Sequence, residues 1–136
     1  MLRAILRVVT IFVVAMALGS CSYAYEVTAI AKNGPMVFTI SNSGLFGSRT
    51  PYVNYVNVER IDKPTKRVWK LETTRSNGPE MHELRYGEFP AGMKSTIGPT
   101  ELALGQLYRV TFLTIDGGGY CEFAISDGGE VLNFRR

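Results

Sequence analysis

The chain has two cysteines, one histidine and one tryptophan in 136 residues. It also lacks any apolar run long enough to cross a bilayer as a helix, which takes about 20 residues. Each shortage excludes something. Two cysteines cannot build the several bridges of a disulfide scaffold. One histidine, His82, falls short of a metal site, which wants three or four converging ligands. It is also the only imidazole that could serve a Ser or Thr nucleophile as base. Paired carboxylates of a glycosidase need a cleft, for which a chain this short has little room beside a core. No enzyme, cofactor or metal is therefore expected. After the first twenty residues no stretch keeps a 3.6-residue apolar period for three turns, so helices are not expected either.

The N-terminus is where the sequence is most explicit. Arg3 and Arg7 precede a run at 8–18 that is apolar apart from Thr10, and the small residues Gly19 and Ser20 follow. A charged start, a short apolar centre and a small-residue exit form the pattern of a cleaved secretory signal peptide. Two cleavage positions compete. Leu18-Gly19-Ser20-Cys21 resembles the lipobox of bacterial lipoproteins, which implies cutting before Cys21 and diacylglycerol on its sulfur. Ser22-Tyr23-Ala24 fits ordinary secretion, with cutting after Ala24. The lipobox is preferred because the cysteine stands right at the end of the apolar run. The expected organisation is a signal peptide at 1–20, a lipid-anchored tether at 21–24 and one domain at 25–136. Ser22, rather than an aspartate, after the cysteine resembles lipoproteins passed to the outer membrane of Gram-negative cells, facing the periplasm.

Loss of the leader also changes the charge. Arg3 and Arg7 leave with it, so 13 basic residues stand against 12 acidic ones. That balance is no footprint of nucleic-acid binding. One basic stretch remains between Arg60 and Arg75; it is either a solvated face or a contact with anionic lipid headgroups. With Cys21 lipidated, Cys121 is left as a single thiol and is read as a small buried hydrophobe.

Short strands punctuated by Gly, Pro, Asn and Asp fill the rest. They are expected at 25–32, 36–41, 53–61, 67–73, 82–86, 107–115, 120–125 and 131–134. The phase of the third slips between Tyr55 and Val56, which suggests a bulge. Asp116-Gly117-Gly118-Gly119 and Asp127-Gly128-Gly129 are read as hairpin turns rather than calcium loops. Strands at this spacing mean a β-sandwich or a small barrel.

Leu102-Ala103-Leu104-Gly105-Gln106-Leu107-Tyr108-Arg109-Val110 narrows the choice. It resembles the Leu-x-Pro-Gly-Thr-x-Tyr-x-Val signature of fibronectin type III domains, with Leu104 and Gln106 at the proline and threonine places. The resemblance implies an all-β, single immunoglobulin-like sandwich in which Tyr108 forms a tyrosine corner, its hydroxyl bonded to upstream backbone. It implies no function. Tyr86-Gly87-Glu88-Phe89-Pro90-Ala91-Gly92, with Pro99, Leu102 and Gly105, is similar to a spacing in small envelope lipoproteins of unassigned function.

Contact residues are expected in the segment 43–52, whose Leu45-Phe46 pair sits between two glycines. Loops on a rigid scaffold are where binding usually sits, so Leu45, Phe46, Arg49 and Tyr52 are candidates for touching a protein partner or the membrane. The alternative is that Leu45 and Phe46 plug the end of the sandwich. The functional expectation is a lipid-anchored envelope protein that binds a protein partner at the same membrane. It would act as an accessory subunit of an envelope assembly or as an inhibitor of a wall-active or toxic enzyme. The alternatives are a structural envelope lipoprotein and, last, a minimal hydrolase.

Overall fold

Residues 23–31, 34–42, 50–62 and 65–135 are described by a computed structural model. Among them ten strands form and no helix. They are β1 (Tyr23–Ala24), β2 (Glu26–Ala31), β3 (Met36–Ser41), β4 (Val53–Arg60) and β5 (Lys66–Thr73). There follow β6 (Glu83–Arg85), β7 (Met93–Ile97), β8 (Leu107–Thr114), β9 (Gly117–Ile125) and β10 (Val131–Arg135).

Two sheets result. The larger has the order β1-β9-β8-β4-β5-β7, with β10 also paired to β9; the smaller is β2-β3-β6. The chain crosses from the small sheet to the large one between β3 and β4, returns between β5 and β6, and crosses again before β7. Adjacent strands are antiparallel except β1, which runs parallel to β9. This is an immunoglobulin-like β-sandwich.

Alternation is what closes it. Along β8, Tyr108, Val110 and Phe112 are buried while Leu107 and Leu113 are exposed, because successive side chains point to opposite faces. Phe38 of the small sheet sits at the centre. It meets Phe123, Phe112 and Tyr86 with ring centroids 5.4, 6.3 and 6.5 Å away. Trp69, Leu71, Val56 and Val58 complete the layer beneath. Fully burying a side chain of this size contributes roughly 1.5–3 kcal/mol, so the shared core holds the sheets together.

The bulge expected between Tyr55 and Val56 lies slightly earlier, where the register against β8 shifts between Val53 and Tyr55. A second shift lies between Val58 and Glu59 against β5. There Trp69 pairs with Val58 and Arg67 with Glu59, which leaves Val68 as the extra residue. Val68 is buried all the same, so strict alternation fails at Val68-Trp69.

The motif around Tyr108 ties the connection between β7 and β8, both strands of the large sheet, to the core. The Ala103 amide donates to the Tyr108 hydroxyl oxygen at 2.8 Å, and the ring stacks on Phe123 at 5.6 Å. Gly105 takes φ +73°, a left-handed turn that glycine adopts without a side-chain clash, and its amide donates to the Ile125 carbonyl. Gln106 accepts from Arg60 Nη2 at 2.8 Å. A second tyrosine, Tyr86, packs edge-on to Trp69 at 4.9 Å and donates to the Thr100 carbonyl.

One expectation needs correction, and two strands stand where none was expected. Asp116-Gly117-Gly118-Gly119 is not a turn: Thr114 pairs with Gly117, so only Ile115-Asp116 turns the chain, and the glycines open β9. They are needed for close approach rather than for reversal. A Cβ on Gly119 would lie 2.2 Å from the Tyr25 carbonyl oxygen, and one on Gly118 2.5 Å from that of Phe112. Tyr23 and Ala24, expected within the tether at 21–24, pair with Gly117 and Gly118 as β1. The segment 93–97 forms β7, which no apolar alternation announced; it is held by pairing to β5.

Candidate binding surface

Cys21, Leu45, Phe46 and Arg49 lie outside the described residues. Tyr52 is exposed and forms an isolated bridge with Glu80 just before β4. Asn42 and Thr50, which flank the segment 43–49, stand at the end of the sandwich where β1 and β4 begin. Tyr108, by contrast, is buried in the corner just described. His82 Nε2 is 3.3 Å from Glu80 Oε1, with both side chains largely in solvent. Among the described residues no group of three or more His, Cys, Asp and Glu is placed to hold a metal ion.

The surface with the most chemistry is the outer face of the large sheet, built row by row from the ladder. Arg67, Glu59, Arg109 and Glu122 form one row across β5, β4, β8 and β9. Lys70, Asn57, Thr111 and Tyr120 form the next, and Glu72, Tyr55, Leu113 and Gly118 the third. Charge alternates along the first row, and Arg109 Nη2 reaches Glu122 Oε1 at 2.7 Å. That hydrogen bond holds the Arg109 guanidinium above its ordinary pKa. Its carbon also sits 5.5 Å from the Tyr120 ring centroid, within range of a cation–π contact. On β5, Lys70 Nζ meets Glu72 Oε1 at 2.8 Å and lies 5.5 Å from the Tyr55 ring centroid. The hydrogen bond from Lys70 holds the Glu72 carboxyl below its usual range.

Between these pairs, Arg109, Thr111 and Tyr120 line a shallow depression of about 300 Å³. Asn57, only 5% exposed, lies beside Thr111 in the same row, and its Oδ1 has no hydrogen-bond partner among the described residues. Arg109 Nε is in the same position. Buried polar atoms are normally paired. Around the polar centre stand exposed apolar side chains: Leu113 and Tyr120, then Leu107 and Leu132, which flank Ala124 across three strands. Arginine and tyrosine beside exposed apolar groups are the residue types that interfaces favour. Sequence reading passed over this face while counting inward positions. The signal was the outward phase of β8, where Leu107 and Leu113 are apolar at positions a solvated sheet would give to polar residues.

Comparison with family models, with curated proteins and with solved structures finds no match.

Proposed function

We propose that the protein is a lipid-anchored envelope protein that binds a protein partner at the same membrane. Its role would be that of an accessory subunit of an envelope assembly or an inhibitor of a wall-active or toxic enzyme. The anchor half of the reading rests on the lipobox at Leu18-Gly19-Ser20-Cys21. The binding half is carried by one observation: the outer face of β4, β8 and β9 keeps Leu107, Leu113, Tyr120 and Leu132 exposed around the Arg109–Glu122 pair. A partner that covers this face gains apolar burial at Leu107 and Leu132 and a fixed charge pair for register. Leu45, Phe46 and Arg49, which lie outside the described residues, and the exposed Tyr52 remain further contact candidates.

The test is recovery of partners with the full acylated protein as bait, cross-linked in intact cells and extracted in mild detergent. Tyr120→Ser combined with Leu132→Ser should abolish recovery of a defined partner. Ile30→Ser, on the small sheet, should not. Recovery that survives the outer-face pair would refute this face. A deletion strain that loses only envelope integrity, with no partner recovered, would favour a structural lipoprotein instead.

A further inference from the structure

Among the described residues, Ile115 is the most exposed apolar side chain at its end of the sandwich, at 61%. It occupies the two-residue connection that joins Thr114 to Gly117. Such connections favour Asn, Asp and Gly, and a β-branched apolar side chain gains nothing there from the fold. Leu113, 46% exposed, stands two residues before it, and Tyr52, 44% exposed, adjoins Val53, which pairs with Thr114. Three large apolar groups thus gather around one tip.

The path of the chain says what covers them. Tyr23, the first described residue, pairs with Gly117 at the start of β9, so the described chain begins beside the Ile115-Asp116 tip. Cys21 is two residues from Tyr23, and at ~3.3–3.6 Å per residue the chain between them can span at most roughly 7 Å. We propose that this end of the sandwich rests on the lipid surface, with Ile115 as its contact. The proposal deepens the reading of Cys21 as a lipid anchor and depends on it. An anchor this close leaves the tip no distance to keep from the headgroups.

The neighbouring charges fit a shallow contact. Asp116 does not present a bare carboxylate beside Ile115: its Oδ1 accepts from the Tyr25 hydroxyl at 2.9 Å and from Thr114 Oγ1 at 2.8 Å. Glu80 and His82, exposed near Tyr52, hold the contact at headgroup depth. The outer face of the large sheet then rises beside the membrane, open to a partner seated on the same surface.

The test uses the full acylated protein in phosphatidylethanolamine–phosphatidylglycerol vesicles that carry nitroxide-labelled lipid. An environment-sensitive fluorophore is placed at Ile115→Cys, at Leu113→Cys and, on the opposite end, at Asp127→Cys. Cys121 is fully buried and does not compete for label. The expected result is a blue shift and loss of emission at 115, a smaller loss at 113 and none at 127. Equal, unquenched emission at 115 and 127 in protein that floats with the vesicles would overturn the orientation alone. Protein that carries no acyl group and does not float would overturn the anchor reading, and this proposal with it.

Discussion

Asn133 and the backbone of Ala29, 104 residues apart, exchange two hydrogen bonds. The Ala29 amide donates to Oδ1 at 2.9 Å, and Nδ2 donates to the Ala29 carbonyl at 2.7 Å. The side-chain amide therefore acts as one rung of a ladder between β10 and β2, and it closes the free edge of the small sheet against the large one. Asn133→Ala should cost about 1–3 kcal/mol, because it leaves two buried backbone groups unpaired. Urea denaturation followed by tryptophan fluorescence measures this. Asn133→Asp should cost more, since it sets a carboxylate against the Ala29 carbonyl. A wild-type midpoint for Asn133→Ala would show that the edge is held by packing alone.

Removing one oxygen at the corner is a milder change. Tyr108→Phe keeps the ring on Phe123 but leaves the Ala103 amide without its acceptor. Ala103 is exposed, so water can reach part of the vacated bond. The cost should fall near 1 kcal/mol, the size of an ordinary hydrogen bond, and lower the melting temperature by several degrees. Tyr108→Leu, which also removes the stacked ring, should cost considerably more. Equal melting of wild type and Tyr108→Phe would mean the corner bond contributes nothing.

These two contacts show what the sequence makes legible. Tyr108 is the seventh residue of a recognisable nine-residue pattern, so its corner can be read locally. Asn133 looks like any polar residue on a short strand, because its partner is 104 residues away and is backbone. In β3 Val37 is buried between Met36 and Phe38, whereas the inward face of β8 was readable from Val110 and Phe112, whose burial follows a period of two. β7 was not, since 93–97 mixes Met, Lys, Ser, Thr and Ile and owes its pairing to β5. The outer face was missed because Leu107, Leu113 and Leu132 become one surface only once β8, β9 and β10 are set side by side.

The glycines of β9 make a prediction of opposite character, in which adding an atom does harm. Gly119→Ala would place a Cβ 2.2 Å from the Tyr25 carbonyl oxygen, which is backbone and cannot swing aside. Overpacking of this kind costs typically 1–3 kcal/mol. The change should also loosen the start of β2, seen as faster amide exchange at Val27. Gly128→Ala, where a Cβ meets only Ser126 Oγ at 3.9 Å, should melt close to wild type. If Gly119→Ala is equally neutral, β1 and β2 do not pass β9 at this distance.

Alkaline stability follows from two weak acids, the buried Cys121 and the half-buried Tyr86. Burial pushes the Cys121 thiol up from 9.0 to about 12, and it pushes the Tyr86 hydroxyl up from 10.0 to about 12. Both groups keep their protons in the folded state while the unfolded chain releases them. Since the folded state then binds more protons, stability falls with rising pH. Their contribution is fully present below pH 9 and is lost progressively from there to about 12. Urea midpoints should therefore be flat through neutrality and decline above pH 9. Cys121→Ala should lower stability at neutral pH by opening a small cavity, yet flatten the first part of the alkaline decline. An unchanged slope in that variant would show that the thiol does not titrate on unfolding.

The anchor itself is tested at Cys21. Cells grown with labelled palmitate should label the wild-type protein, whereas Cys21→Ser should remain unlabelled and accumulate with its leader uncut. The structure adds a constraint to this outcome. Processing after Ala24 would cut the chain at the end of β1, removing both residues that pair with Gly117 and Gly118. Processing before Cys21 leaves β1 whole. A Cys21→Ser strain that secretes a soluble product beginning at Tyr25, folded and active, would defeat the lipoprotein reading and show β1 to be dispensable. With Ser22 in place, labelled wild-type protein should band with the outer membrane on a density gradient. An inner-membrane band would keep the anchor and refute the destination.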